Sequence, residues 1–161
     1  MGERVRSLFV PSSVITDGRR PVTHKLLALV AATVLVLTLT SCMSTEESSV
    51  FLRINDVRAQ NNQPQLLPDG ELIAKAQAHA QEMAGQGQLF HSSLRDGVTG
   101  NPRKMGENVA YAGSVEQAFQ ALLSSPPHFA NMVDPAFNRV GVGIVTGSDG
   151  RVWVVMDFAE R

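Results

Sequence analysis

Val140-Gly141-Val142-Gly143-Ile144-Val145, a turn at Gly147-Ser148-Asp149-Gly150, and Arg151-Val152-Trp153-Val154-Val155-Met156-Asp157-Phe158 give the clearest strand signal in the chain. β-branched and aromatic residues fill both runs, and the Gly- and Asp-bearing link between them has turn composition, so an antiparallel hairpin is expected here. Upstream of it the period changes. Ser114 with Gln117 three residues on predicts a capped helix through Val115, Ala118, Phe119, Leu122 and Leu123, broken by Ser125-Pro126-Pro127 ahead of His128. Gly106-Glu107-Asn108-Val109-Ala110 reads as a short extended piece.

Two more helices lie nearer the start. Ser44 and Glu47 resemble a capping box, and Val50, Phe51, Ile54, Val57 and Arg58 follow at helical spacing, which predicts a helix over about residues 45–60, stopped by Asn61-Asn62-Gln63-Pro64. Asp69 is the candidate cap of the second helix, whose stripe is Leu72, Ile73, Ala76, Ala80, Met83 and Ala84, and Gly85 and Gly87 end it. Residues 85–106 show no period and form a long connection containing His91. Helix, helix, loop, short strand, helix and terminal hairpin together predict an α+β fold with helices packed on a small antiparallel sheet.

The region before the domain has its own pattern. Arg19, Arg20, His24 and Lys25 precede about fourteen uncharged residues, Leu26 to Leu39. A run that short suits a signal peptide, since a membrane-spanning helix needs roughly 20 residues. Leu39-Thr40-Ser41-Cys42 places the single cysteine directly behind that run, in a pattern similar to the one a bacterial lipoprotein signal peptidase prefers. Pro21-Val22-Thr23-His24 after Arg19-Arg20 does not resemble a twin-arginine signal. The expected organisation is a lipoprotein signal peptide over residues 1–41, with 1–18 a cytoplasmic extension or upstream of the true start. A lipidated tether, palmitate-bearing at Cys42, follows over 42–45, and one domain spans 46–161. Residues 42–161 carry nine Lys and Arg against thirteen Asp and Glu, a net of −4, which argues against nucleic acid as partner. No disulfide is available to a lone thiol, so an apolar core must hold the domain.

No H-E-x-x-H, C-x-x-C, P-loop or G-x-S-x-G motif is present. The candidates for chemistry are His91 in the long loop, Glu107 and Asn108 side by side, and His128 after the proline break. His79 falls inside the second helix near its apolar stripe and reads as a packed residue. Asn131 reads as a cap for the turn that follows it, and Trp153 as core.

Taken in order, these pieces resemble the CAP superfamily, which includes the cysteine-rich secretory proteins, antigen 5 and the group-one pathogenesis-related proteins. The resemblance rests on Ile54-Asn55-Asp56-Val57-Arg58-Ala59, Phe90-His91-Ser92, Gly106-Glu107-Asn108-Val109-Ala110, Ser125-Pro126-Pro127-His128 and Val140-Gly141-Val142-Gly143, and it covers nearly all of the chain after Cys42. It implies a three-layer α-β-α sandwich and a cleft in which two His hold a divalent metal such as zinc, with two Glu beside them. His91 and His128 match the His pair and Glu107 the first Glu. The second Glu is not matched: its position falls at about Ser125, the aromatic that usually precedes it at Leu122, and this reduced set is that of the bacterial SCP-like branch. The implied cleft is His91, Glu107, Asn108, Ser125 and His128.

Two imidazoles make a weak, open metal site, because catalytic zinc takes three protein ligands. The leading expectation is thus a monomeric, exported binding module, lipid-anchored at the outer face of the cell membrane, for a lipid, wall polymer or peptide. The alternatives are a metal-assisted hydrolase with Glu107 as base and a structural envelope protein in which the His and Glu side chains merely pin the long loop. A Ser-His-Glu hydrolase built on Ser92, Ser93, Ser124 or Ser125 is disfavoured, since nothing signals a strained turn or an oxyanion hole.

Overall fold

The computed structural model describes residues 43–161; the signal segment expected at 1–41 and the lipid-bearing Cys42 lie outside the described residues. Helix α1, Thr45–Gln60, starts at a complete capping box: the Glu47 amide donates to Ser44 Oγ at 3.1 Å and the Ser44 amide to Glu47 Oε2 at 2.7 Å. Its inward stripe carries Val50, Ile54 and Val57, and also Arg58, whose buried guanidinium donates to the carbonyls of Pro64, Met132, Asp134 and Phe137. Asn55 and Leu66 exchange two hydrogen bonds, side chain to backbone in both directions, and so fasten the connection after α1.

Strand β1 is only Leu67–Pro68. Asp69 then caps α2, Gly70–Gln86, by accepting from the amides of Glu71 and Leu72, and Gly87 closes it in the left-handed conformation at φ 64°. Strand β2, Lys104–Ala112, is longer than the expected extended piece. Helix α3, Val115–Ser124, is followed at once by α4, Pro126–Val133. The proline pair therefore does more than break a helix. Pro is suited to a first helical turn, so Pro126-Pro127 end α3 and start α4, and His128 sits on that new helix. The hairpin strands are β3, Arg139–Thr146, and β4, Val152–Glu160.

The sheet order is β1-β3-β4-β2, with β2–β4 and β3–β4 antiparallel; the two-residue β1 pairs parallel with β3, which makes the sheet mixed rather than purely antiparallel. Alternation along the strands sorts two faces. Val140, Val142, Val154, Met156 and Phe158 join the core under α1, α3 and α4, whereas Val109, Trp153 and Val155 face Ala76, Ala80 and Met83 of α2. The glycines of Val140-Gly141-Val142-Gly143 have a direct cause. A Cβ on Gly141 would lie 2.1 Å from the Leu72 backbone carbon and one on Gly143 2.3 Å from that of Ala76, so α2 lies on β3 closer than any side chain allows. Among the described residues no helix is long and apolar enough to cross a membrane.

Candidate functional site

The site begins with a pair of carboxylates placed opposite each other. In the β2–β4 register Glu107 faces Asp157, both point toward α2, and both are buried. Like charges directly across a strand pair repel. Lys75 of α2 resolves the conflict: its Nζ donates to Asp157 Oδ1 at 3.1 Å and Oδ2 at 3.3 Å and lies 3.5 Å from Glu107 Oε2, with 6% of its side chain exposed. Burial, helped by the neighbouring Glu107 charge, pushes the Asp157 carboxyl up to about 6 despite Lys75.

The long loop is tied to Glu107. His91 Nδ1–H donates to Oε1 at 2.8 Å, the Ser92 amide donates to the same oxygen at 2.9 Å, and the Ser92 hydroxyl donates to Oε2 while Lys75 Nζ donates to that hydroxyl. Burial raises the Glu107 pKa, but the Ser92 hydroxyl and amide, the His91 ring and the Lys75 charge outweigh it, and the group ends below its ordinary range. Because an ionised carboxylate only accepts, the proton of a neutral His91 belongs on Nδ1, leaving the Nε2 lone pair of this 60%-exposed side chain available.

Asn108 points the other way. One residue along the strand, it faces α4, where its Nδ2 donates to the His128 carbonyl at 2.9 Å and its Oδ1 accepts from Asn131 at 2.9 Å. Asn131 is therefore not the cap of the following turn. It projects from α4 onto β2, and Asp134 caps that turn by accepting from the Ala136 amide. His128 is half-buried; its Nδ1 is buried without a hydrogen-bond partner, and burial, with the nearby His91 charge second, pushes its pKa below the ordinary value. His91 and His128 thus approach β2, the edge strand, from the sides of Glu107 and Asn108. Ser125 occupies the N-cap position of α4 without a side-chain capping bond.

A metal held here would have two imidazole nitrogens as its protein donors. His91 offers an Nε2 lone pair oriented by a carboxylate, and His128 a buried Nδ1 without a hydrogen-bond partner and a pKa lowered by burial. Among the described residues no group of three or more His, Cys, Asp or Glu side chains is arranged to hold a metal ion.

Beside this cluster runs a groove of about 770 Å³ between α2 and the loop. Of the five residues expected to line one cleft, His91 alone lines it; Lys75, His79, Phe90 and Ser92 are further walls. His79 is buried, donating Nε2–H to the Phe90 carbonyl at 2.8 Å and packing edge-on against that ring, a structural role. Sequence reasoning missed Lys75, Ser92 as a binding residue, and Asp157. The last left a readable trace: an Asp between Met156 and Phe158 in an otherwise apolar strand must be buried, and a buried carboxylate requires a partner.

A family model, Cysteine-rich secretory protein family (CAP), matches residues 51–158. No curated protein matches the chain. Among solved structures, an outer surface protein of Borrelia burgdorferi aligns with a TM-score of 0.64 at 18% identity, covering 74% of this chain and 96% of that one. An extracellular SCP-domain protein of Bacillus anthracis aligns with a TM-score of 0.64 at 24% identity, covering 72% of this chain and 40% of that one. A third, NaASP2, solved with Zn2+, aligns with a TM-score of 0.57 at 17% identity, covering 73% and 81%. At these identities the likeness is one of fold.

Proposed function

Since the chain belongs to the CAP, or cysteine-rich secretory protein, family, we propose that it is an exported, lipid-anchored binding module of the cell envelope whose His91 and His128 hold a divalent ion weakly. The observation that carries the metal is the grip of Glu107 on His91 Nδ1, which orients the ring and leaves Nε2 as the ligand atom. Bound there, zinc supplies a Lewis-acidic anchor for a ligand oxygen. The protein's own residues do the rest: Glu107 fixes the His91 tautomer, Ser92 and Lys75 fix Glu107, and Asn108 fixes the backbone of α4 beneath His128.

Binding is favoured over hydrolysis by the state of Glu107. Its two oxygens already take four donors, from His91, the Ser92 amide, the Ser92 hydroxyl and Lys75. A general base needs a free lone pair within reach of the proton it removes, and here both oxygens of a buried side chain already accept. The lipid anchor is supported by Leu39-Thr40-Ser41-Cys42 and the outward address by the surface and extracellular proteins of like fold.

Calorimetric titration with zinc tests the metal. Binding is expected near neutral pH, lost as pH falls through the imidazole range near 6.5, and absent in His91→Ala and His128→Ala. Tight zinc that survives mild acid, or turnover of a peptide, ester or glycan abolished by chelator and by Glu107→Gln, moves the reading to a hydrolase. Fatty-acid labelling that persists in Cys42→Ala removes the anchor.

A further inference from the structure

The groove beside the cluster has a charge and shape of its own. Its α2 side runs from Glu71 to Glu82, about 16 Å along the helix axis, and between those ends the exposed residues Ala74 and Ala78 raise only methyl groups. The opposite wall is loop, with Phe90 and Ser92 half-buried and Asp96 exposed. A volume of about 770 Å³ lies within the range of ligand sites, roughly 300–1,000 Å³.

Its charges are unequally presented. Lys75 is the one Lys or Arg in the lining, and its ammonium is spent on Asp157, Glu107 and Ser92. Glu71 is spent too, accepting from the Thr99 hydroxyl and amide and from Arg161. Glu82 has no Lys or Arg partner: half its side chain is exposed, Oε1 accepts from the Gln86 amide at 3.1 Å and Oε2 lies 3.4 Å from His79 Nδ1. The Asp96 carboxylate takes no hydrogen bond among the described residues and is exposed. Away from His91, and without a metal on it, the groove therefore shows an arriving ligand carboxylates and apolar methyls, with no lysine or arginine charge free to meet an anion.

We propose that this groove binds a basic peptide segment in extended form. About five residues span 16 Å at roughly 3.3 Å each, with the backbone laid over Ala74 and Ala78, an apolar side chain against Phe90, and Lys or Arg side chains meeting Glu82 and Asp96. The alanine floor suits a main chain, which needs close approach, and the carboxylates reject phosphate-bearing lipids and acidic wall polymers by like charge. The proposal rests on the binding-module reading and names its ligand class, but it does not depend on a metal at the imidazole pair.

The test titrates the full chain with acetyl-Ala-Lys-Ala-Lys-Ala-amide and its Gln- and Glu-substituted counterparts, following amide shifts of Ala74, Ala78 and Phe90 by NMR. The lysine peptide is expected to bind tightest, to weaken with salt, and to lose roughly two- to fivefold in affinity for each of Glu82→Gln and Asp96→Asn. Both substitutions are on the surface, so loss of folding is not in question. Equal affinity for the three peptides, tighter binding of the Glu peptide, insensitivity to both variants, or no binding at all overturns the proposal. Zinc titration of the same variants reads the imidazole pair separately: zinc binding retained where peptide binding fails sinks the groove and leaves the metal reading standing.

Discussion

The two faces of the sheet are built on different principles. The face under α1, α3 and α4 is mostly apolar: Val140, Val142, Val154, Met156 and Phe158 meet Ile54, Phe119, Leu122 and Met132, Phe158 stacks on Phe137 at 5.6 Å between centroids, and the buried Arg58 and Asn108 are taken up by backbone carbonyls and Asn131. The face under α2 has a thinner apolar patch around Trp153 and, where the other would place a Met or Phe, a Lys between two carboxylates. One strand serves both, since Met156 and Phe158 go one way and Asp157 the other. The lesson is a division of labour: one face provides stability and admits polar groups only where backbone carbonyls take them up, and the other accepts paired charges because they organise the loop carrying His91. Burying a charged triad is rarely the most stabilising use of space, so its presence beside the proposed metal ligand points to positioning.

Breaking each face separately should expose the difference. Phe158→Ala empties a fully buried ring from the larger core and is expected to cost about 3–5 kcal/mol, measured by urea unfolding, with zinc affinity per folded molecule unchanged. Gly141→Ala attacks the other face. Its Cβ would lie 2.1 Å from the α2 backbone, which no rotamer change relieves, so α2 must lift. A loss near 3 kcal/mol, the upper end of ordinary overpacking, is expected, here accompanied by weakened zinc binding because Lys75 rides on α2. If Gly141→Ala leaves the metal untouched, α2 does not position the site.

Legibility in the sequence divides along the same line. The caps at Ser44, Asp69 and Gly87 and the hairpin were readable because they depend on residues close in sequence. His91 and Glu107 stood out, but their joining through Ser92 did not, since a serine in a polar loop carries no signal of its partner. The Glu107–Asp157 pair depends on a register between strands 50 residues apart, which local pattern does not specify. Arg58 fitted its helix stripe by spacing, though its role in binding the carbonyls at the end of α4 is long-range. Asn108 was grouped with Glu107 by adjacency, and strand alternation separates adjacent residues onto opposite faces. Two-residue β1 is too short to have any period.

The charged face can be sharpened by pH. Asp157 sits at about 6 in the fold against 3.8 for its ordinary value. A raised carboxyl contributes stability that is fully present below the lower value and is lost as pH rises through the upper one. Relative to Asp157→Asn, which stays neutral, the native protein should therefore gain about 1 kcal/mol as pH falls from 7 to 5. His128, held below its ordinary value, acts oppositely in both proteins and cancels in the comparison. Denaturation curves of the pair at the two pH values decide it, and parallel pH dependence would show that Asp157 is not perturbed.

The subtlest effects are expected from Glu107→Gln, and they are the most discriminating. Gln keeps the shape but accepts through one oxygen only, so part of the four-donor set is lost and the unfolding free energy should fall by about 1 kcal/mol. Two local readouts should change. With the Glu107 charge gone, the push it exerts on Asp157 disappears while Lys75 remains, so the Asp157 pKa should drop below 6 and the pH-dependent difference above should shrink in a Glu107→Gln background. The neutral amide also no longer dictates which nitrogen of His91 bears the proton, so zinc affinity should fall by about 10–100-fold, as for other lost carboxylate partners of a ligating His. Reduced zinc binding with an unchanged Asp157 titration would mean that Glu107 serves the imidazole alone. An altered titration with intact zinc binding would make the cluster a fastening for the loop, and the apolar and charged faces would then differ in composition but not in purpose.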